Sequence, residues 1–257
     1  MAYRTGAAFI NDSLAFRVLA HGTYLAVWWA IFLISKLIYR LRVQGRCNLR
    51  HARPAFLVSN HTLLLDPGIL SMAILPFRTY FTMLEETALV PVLGTFVRLL
   101  DAVPIPEDGR QFRRFEGELR RVLERRRFVH FFPEGECFRW SQEVQPFRRG
   151  VFLLACRLGI PVIPVATVLR GRFWNGRHFL TVFGRKVHLP PRVTVVVGRP
   201  IDPAAPGAKG RAGLREAAEA LRLSAQARIQ SAIDRNGGSR SIYRGQMPRI
   251  VRGSARG

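Results

Sequence analysis

Residues 55–67 read AFLVSNHTLLLDP, and this stretch decides the fold because an apolar segment runs directly into a polar loop. The continuous apolar run from Ala55 to Ser59 is typical of a buried strand. His61 and Asp66 follow it, five residues apart. On a regular helix five residues turn through roughly 500°, so the two side chains would point to different faces. The spacing therefore predicts a loop, and Pro67 supports this because proline biases the preceding residue away from helical angles.

A histidine beside a carboxylate is suited to general-base catalysis. A neutral imidazole can take the proton of an attacking hydroxyl, while the carboxylate holds the ring in one tautomer and stabilises the imidazolium that forms. We interpret His61 as a candidate base and Asp66 as its orienting group. Two ordinary explanations stay open: Asp66 as the N-cap of a helix that starts at Pro67, and His61 as a partly buried histidine without a chemical role.

A second strand-to-turn segment lies about seventy residues further on. Residues 128–136 read FVHFFPEGE, an apolar strand followed by a turn that carries a carboxylate. Such a turn is where α/β folds place ligand-binding groups. The sequence QPFRRG follows at residues 145–150, then an apolar helical stretch at 151–158 and the start of another strand, IPVIPV, at 160–165.

Taken in order, these segments resemble the glycerolipid acyltransferase family typified by lysophosphatidic acid acyltransferase. The matching blocks are N-H-x-x-x-x-D at residues 60–66, F-P-E-G at 132–135, P-F-K-K-G at 146–150 and I-P-V-x-P-V at 160–165, with a weaker G-x-P-I match at 198–201. The resemblance spans roughly residues 45 to 202. It implies an α/β fold with a mixed central sheet flanked by helices.

The resemblance also implies an activity. A family member moves a fatty acyl group from acyl-CoA or acyl-carrier protein to a hydroxyl of a lyso-lipid or glycerolipid, as part of phospholipid synthesis. It needs no metal and no cofactor beyond the acyl donor. His61 would act as general base with Asp66 behind it, and no acyl-enzyme is required. Backbone amides near Gly135 would supply hydrogen bonds to the developing oxyanion.

The resemblance assigns the remaining site residues to substrate binding. Glu134 would belong to acceptor binding or to the architecture of the site, and Gly135 to acceptor binding, with Arg110 and Arg139 as further candidates. Arg148 and Arg149 would meet donor or lipid phosphates.

Two blocks depart from the family pattern. The family's G-x-x-F-I-x-R block, whose arginine helps to bind the acceptor phosphate, is replaced by DAVPIPE at residues 101–107, which ends in Glu107. The T-R-S that normally follows F-P-E-G is replaced by Glu136-Cys137-Phe138, with Arg139 shifted by two positions. Carboxylates would repel a phosphate that the usual residues attract. We therefore expect a zwitterionic or amine-bearing lyso-lipid as acceptor.

Composition fits a single membrane-associated domain. A chain of 257 residues buries one sizeable core, and its net charge of +23 attracts anionic lipid, acyl-CoA phosphates, acidic carrier proteins or nucleic acid. A genome rich in arginine codons would explain the charge equally well. The chain shows no zinc-finger spacing or RNA-binding signature, so no specific nucleic acid is expected. A nucleic-acid-binding protein and a catalytically degenerate lipid-binding family member remain the alternatives.

The three cysteines predict neither a disulfide framework nor a zinc site, because they are odd in number and lack metal-ligand spacing. A reducing, cytoplasm-facing location fits this pattern. Cys137 could be imagined as a nucleophile, although no base adjoins it in sequence.

An apolar run, YLAVWWAIFLIS, occupies residues 24–35. Twelve helical residues span about 18 Å, short of the roughly 30 Å hydrocarbon core of a bilayer. Extending the run to Leu14 brings in Arg17 and His21. We predict an interfacial or re-entrant anchor on the cytoplasmic face of the inner or plasma membrane, with Trp28 and Trp29 near the headgroups. A buried core helix is the alternative, and no removable signal peptide is indicated.

The remaining patterns predict alternating strands and helices. Strands are expected at residues 80–83, 161–169, 178–183 and 192–197, and helices at 111–127 and from 214 to about 237, the second packed on the core. Residues 239–257 read as a mobile or membrane-touching tail. The predicted organisation is an anchoring segment at residues 1–44, an acyltransferase domain at 45–236 and a basic tail at 237–257.

Overall fold

The computed structural model of the protein describes residues 13–50, 54–125, 128–172, 179–182, 185–203 and 210–248. Its strands are β1 Arg42–Gln44, β2 Ala55–Ser59, β3 Thr79–Leu84, β4 Ala102–Ile105, β5 Phe128–Phe131, β6 Val162–Arg170, β7 Phe179–Val182, β8 Arg185–His188 and β9 Arg192–Val197. Its α-helices are α1 Leu14–Leu33, α2 Asp66–Ala73, α3 Glu85–Leu89, α4 Leu93–Leu99, α5 Phe112–Arg125, α6 Gly150–Leu158 and α7 Gly210–Arg235.

Seven strands form the central sheet in the order β1-β9-β6-β2-β5-β3-β4. The neighbours from β6 to β4 pair in parallel, whereas β9 runs antiparallel to β6 and carries β1 parallel to itself. This confirms the mixed α/β sheet. Every residue of β2 is buried, which explains its unbroken apolar sequence, because a central parallel strand is covered on both faces.

The two faces of the sheet carry separate hydrophobic clusters, and β2 contributes to both. Phe56 and Val58 pack with α5, α6 and α7 on one side. Leu57 packs on the other side with Ile69 and Leu70 of α2. Alternate residues of a strand point to opposite faces, so one five-residue strand ties both layers together.

The predicted strands at 80–83, 161–169 and 192–197 lie within the central sheet, as predicted. Residues 179–182 of the segment predicted at 178–183 form β7, which pairs with β8 in a separate hairpin. Strands β1 and β4 were missed because three or four residues carry little periodic signal. The helix at 111–127 is present as α5, and α7 packs on the core through buried Ala218, Leu221 and Ile229 as predicted.

The N-terminal helix is longer than predicted. It starts at Leu14, where the Ser13 side chain accepts a hydrogen bond from Phe16 N, and a π-helical turn continues it to Ile38. Arg17 and His21 are simply exposed, so neither interrupts it. By length and composition the 25 residues could cross a membrane, a criterion that core helices and signal sequences also meet. Most of the helix is exposed, so it is not the buried core helix considered as the alternative.

This helix packs on the domain through a few contacts. Ile31 lies against Gly68 of α2, and the Arg98 guanidinium of α4 lies 5.8 Å from the ring centre of buried Phe16. Strand β1, which falls in the predicted anchoring segment, pairs with β9 and is therefore part of the central sheet.

The prediction of a mobile tail is wrong for residues 239–248. Gly237 adopts φ +67°, a left-handed conformation that favours glycine, and turns the chain back after α7. Ser239 N then donates to Leu169 O at 2.8 Å, and Ile242 is fully buried in the cluster beneath α2. Residues 249–257 lie outside the described residues.

Candidate active site

The two predicted motif segments meet at one edge of the sheet. Strands β2 and β5 are parallel neighbours, with Val58 opposite Phe131, so the loops that follow them emerge side by side. His61 lies just beyond β2, and the Phe132–Gly135 turn lies just beyond β5. The carboxyl edge of parallel strands is the usual place for ligand-binding groups in such sheets.

His61 and Asp66 are in contact. Nδ1 of His61 lies 2.9 Å from Oδ2 of Asp66, whose side chain is fully buried, whereas the His61 side chain is 20% exposed. The same carboxylate oxygen accepts the backbone N–H groups of Thr62 at 2.7 Å and Leu63 at 2.8 Å. A carboxylate on Nδ1 fixes the proton there and leaves Nε2 as the acceptor for a substrate proton.

The backbone around Asp66 differs in part from the prediction. Residues 60–65 form the expected loop, but Asp66 is the first residue of α2 and Leu65 occupies the N-cap position. Pro67 does not exclude a helix here, because the first turn of a helix has no intrahelical partner for its N–H groups. The Asp66 carboxylate reaches back to the loop and so holds both the ring and the loop backbone.

Glu134 lies beneath the loop of residues 60–65, the proposed catalytic loop. Its side chain is buried, with Oε2 accepting His61 N at 2.9 Å and Oε1 accepting Gln145 N at 3.0 Å. Burial raises the pKa of this carboxyl to about 8, against the opposing effect of those two hydrogen bonds. Both oxygens are occupied by backbone donors, so the geometry favours a structural role over the predicted contact with an acceptor.

A cavity of about 550 Å³ opens beside His61. Much of its wall is apolar and comes from β3, β4, α5 and α6. The apolar side chains include Met83, Ile105, Phe112, Phe115, Phe131 and Leu154. A slot of this kind suits a hydrocarbon chain, since each buried CH₂ group is worth about 0.8 kcal/mol.

The charged part of the cavity wall is acidic. Four glutamates line it, together with Arg148: Glu85, Glu86, Glu107 and Glu136. Arg148 lies 3.9 Å from Glu136 and so is partly neutralised. The local excess of negative charge is opposite in sign to the net charge of +23 that the whole chain carries.

Arg148 lies directly across the F-P-E-G turn. Gly135 adopts φ +76°, a left-handed conformation that favours glycine, and a Cβ atom there would lie 2.5 Å from the Arg148 guanidinium carbon and displace that flexible side chain. The Gly135 amide donates to Phe132 O at 3.0 Å. That amide is therefore engaged in the turn, and the supply of oxyanion hydrogen bonds by neighbouring backbone amides stays a prediction.

The other predicted arginines lie elsewhere. Arg149 is 69% exposed and pairs with Glu219 at 3.0 Å. Arg139 donates to the backbone oxygen of Arg244 at 3.1 Å, and neither Arg139 nor Arg110 lines the cavity. Of the eight predicted site residues, the structure brings His61, Asp66, Glu134, Gly135 and Arg148 together and leaves the other three outside.

Cys137 does line the cavity, and its environment excludes a nucleophilic role. Burial, followed by the negative charges of Asp66 and Glu134, raises the pKa of its thiol to about 12. A thiol is a useful nucleophile only as the thiolate.

Two parts of the site had no clear signal in the sequence. His130 is fully buried on β5 with Nε2 3.0 Å from Ser59 Oγ, and burial lowers its pKa to about 3. Met247 and Pro248, which are far from the motifs in sequence, also line the cavity. Asn60 lay inside the quoted motif, and it fixes the loop by bonding both the N–H and the C=O of Thr167.

Comparison with known proteins gives matches to one family. The sequence model described as Acyltransferase matches residues 40–168. The chain is 27% identical over 153 residues to 1-acyl-sn-glycerol-3-phosphate acyltransferase BAT2, chloroplastic, of Brassica napus, covering 58% of this chain and 43% of that protein. It is 26% identical over 153 residues to the corresponding LPAT1 of Arabidopsis thaliana, covering 58% and 41%. The chain thus spans less than half the length of these curated relatives.

A solved structure shares the fold. The crystal structure of the 1-acyl-sn-glycerophosphate (LPA) acyltransferase PlsC from Thermotoga maritima superposes with a TM-score of 0.51 at 20% identity, over 88% of this chain and 96% of that one.

Proposed function

Since the chain belongs to the acyltransferase family, we propose that it transfers a fatty acyl group from acyl-CoA or acyl-carrier protein to a hydroxyl of a lyso-lipid or glycerolipid, in membrane phospholipid synthesis. The observation that supports this most strongly is the contact between His61 and Asp66 at the mouth of an apolar cavity. A base and a hydrocarbon slot in one place are what acyl transfer to a lipid hydroxyl requires.

In the proposed reaction His61 Nε2 takes the proton of the acceptor hydroxyl while that oxygen attacks the thioester carbonyl. Asp66 keeps the Nδ1 proton in place and stabilises the imidazolium. The tetrahedral intermediate then collapses, the C–S bond breaks, and the imidazolium returns the proton to the leaving thiolate. The enzyme ends the cycle unchanged, and no covalent acyl-enzyme forms.

The charges of the cavity support an acceptor whose headgroup is zwitterionic or carries an amine. Glu107 stands where a phosphate-binding arginine is expected, and its N–H donates to buried Glu85 at 3.0 Å. Glu136 lies beside Arg148, which is the only arginine or lysine among the described residues that line the cavity. A phosphate monoester would meet net repulsion at this wall, whereas an ammonium group would be attracted.

Exposed apolar side chains support a membrane location. Leu14, Val18, Trp29 and Leu37 are exposed on the N-terminal helix, and α4, which this helix contacts, exposes Phe96. Such a surface fits an interfacial anchor that draws lipid substrate to the cavity. Within the proposal the protein lies on the cytoplasmic face of the inner or plasma membrane, where it meets acyl-CoA or acyl-carrier protein.

The test is an acyl-transfer assay with purified protein in lipid bicelles. Labelled acyl-CoA and acyl-carrier protein are offered with lyso-lipids that bear a phosphate monoester, a zwitterionic headgroup or an amine, and His61→Ala is the inactive control. We expect a His61-dependent product that is largest with the zwitterionic or amine acceptor. Turnover with the phosphate monoester alone would overturn the headgroup proposal. No product with any acceptor would overturn acyl transfer.

A further inference from the structure

The C-terminal segment, residues 239–248, forms part of the wall of the candidate active site. Met247 and Pro248 line the same cavity as His61. We propose that Met247 is a specificity-determining residue, whose side chain packs against a hydrocarbon chain of a substrate and limits its length. This inference rests on the proposed acyl transfer and adds to it a chain-length determinant outside the motif blocks.

The segment Cys137–Trp140 connects the catalytic loop to the C-terminal segment. On one edge it bonds the catalytic loop, because Phe138 N donates to His61 O at 2.9 Å and Trp140 N donates to Thr62 O at 2.8 Å. Those two carbonyls belong to His61 itself and to the residue that follows it. The position of this segment is therefore fixed relative to the proposed base.

The other edge of the same segment bonds the C-terminal segment in an antiparallel manner. Arg139 N donates to Gly245 O at 3.0 Å, and Met247 N donates to Cys137 O at 2.8 Å. Phe138 and Gln246 form the bridge between these two bonds. Backbone hydrogen bonds therefore hold Met247 beside residues 137–140, which lie between it and the catalytic loop.

Two further contacts anchor the segment to the core. Ile242 is fully buried, and the Ser239 hydroxyl accepts Gly171 N at 2.9 Å. The Arg244 guanidinium lies 4.9 Å from the ring centre of Trp140. A wall fixed at so many points can discriminate between substrates by size, because it cannot yield freely.

The chemistry of Met247 fits a hydrocarbon ligand. Its side chain is half-buried and uncharged, and the residue lines the same cavity as the apolar side chains of β3, β4, α5 and α6. Methionine is unbranched and polarisable, and it fills irregular apolar gaps well. The acyl chain of the donor and that of the acceptor must both pass close to His61, so a hydrocarbon chain from either substrate can be the ligand.

The experiment measures chain-length preference in two arms. One arm offers acyl donors of 14 to 18 carbons with a fixed acceptor, and the other offers acceptors of 14 to 18 carbons with a fixed donor. Met247→Ala should raise the ratio of kcat/KM for the 18-carbon over the 14-carbon substrate by about tenfold in one arm. Met247→Phe should lower that ratio by a similar factor. The reason is that small changes of size in an apolar pocket alter discrimination between substrates by about 10–200-fold. The arm that responds identifies the substrate.

Tyr243→Ala is the matched control, because Tyr243 lies in the same segment, is exposed and does not line the cavity. It should keep the wild-type ratio in both arms. Active Met247 variants with wild-type ratios in both arms would overturn the inference while the proposed function stands.

A second measurement covers the case in which the wild-type protein shows no turnover and the proposed function fails. A lyso-lipid with a photoreactive group on its acyl chain is crosslinked to the wild-type protein, which is then digested with trypsin. Label on the peptide of residues 245–249 supports contact between Met247 and a hydrocarbon chain, and its absence overturns the inference.

Discussion

Two histidines flank the ring of Phe132, and only one of them has the surroundings of a catalytic base. The His61 ring stacks on Phe132 with the ring centres 4.1 Å apart, and the His130 ring meets it edge-on at 4.5 Å. His61 belongs to the loop after β2, and His130 belongs to β5 itself. The two side chains are chemically identical and separated by one aromatic ring.

Their partners and their access to the cavity differ. His61 has a buried carboxylate on Nδ1 and lines the cavity. His130 is completely buried, and its Nε2 lies 3.0 Å from Ser59 Oγ, which donates to Asn60 O. Nδ1 of His130 has no hydrogen-bond partner among the described residues, so a second proton would be buried without an acceptor. The comparison favours His61 as the proposed base, because it has the carboxylate partner and the opening to the cavity that His130 lacks.

The largest effect is expected from His61→Ala. Removing the general base should lower kcat by about 10³-fold, within the 10²–10⁴-fold range of such catalysis. Because the side chain is partly exposed, the unfolding temperature should change little. Initial rates of acyl transfer and a thermal unfolding curve check both points. Near-normal turnover would remove His61 from the mechanism.

His130→Ala should show the opposite pattern. Removing this fully buried side chain should lower the free energy of unfolding by about 3 kcal/mol, because it leaves a cavity in the core and removes the Ser59 contact. The kcat value should fall less than tenfold, since among the described residues His130 makes no hydrogen bond to His61 and is linked to it through the Phe132 ring and through Ser59. Denaturant unfolding and initial rates give the two numbers. A loss of kcat as large as that of His61→Ala would abolish the contrast between the two histidines.

The sequence predicts the contact between His61 and Asp66 because its signal is local. The spacing of His61 and Asp66, followed by ordered motif blocks, names the loop after β2 correctly. Strands β2, β5 and β6 are predictable for a related reason, since buried central strands are continuously apolar. Their membership of one sheet follows from the parallel pairing that such strands require.

The rest of the site could not be predicted because it depends on long-range or backbone contacts. Glu134 bonds two amides, and backbone donors leave no mark in a sequence. Residues 239–248 are polar with a single deeply buried anchor, Ile242, so composition alone suggests a tail. Strands β7 and β8 form a hairpin outside the central sheet, and only the tertiary structure decides which sheet a strand joins.

Asp66→Asn tests the contrast between His61 and His130 by changing the carboxylate that contacts His61. The amide oxygen of asparagine can still accept Thr62 N and Leu63 N, so the loop should stay folded, but the negative charge that stabilises the imidazolium is lost. We expect kcat to fall about 10²-fold, within the range for general-base catalysis, with KM within a few-fold of wild type. Steady-state kinetics measure both.

Asp66→Ala is the informative companion, because it also removes the acceptor of the loop amides and should lower the unfolding temperature. A wild-type kcat in Asp66→Asn would mean that Asp66 serves the loop alone.

The smallest predicted effect is a dependence of stability on pH that belongs to His130. Its pKa is lowered to about 3 from an ordinary value of 6.5, chiefly by burial and then by the charge of His61. Between these pH values the unfolded chain binds a proton that the native protein does not, so this contribution to stability is present above pH 6.5 and is lost as the pH falls.

Between pH 6.5 and 5.5 the free energy of unfolding of the wild type should fall by about 1 kcal/mol more than that of His130→Phe, since one proton is worth up to ~1.4 kcal/mol per pH unit. Groups that titrate alike in both proteins cancel in that difference. Urea unfolding at the two pH values measures it. Parallel losses in the two proteins would mean that His130 accepts a proton in the folded state, and the contrast with His61 would then have to rest on the carboxylate alone.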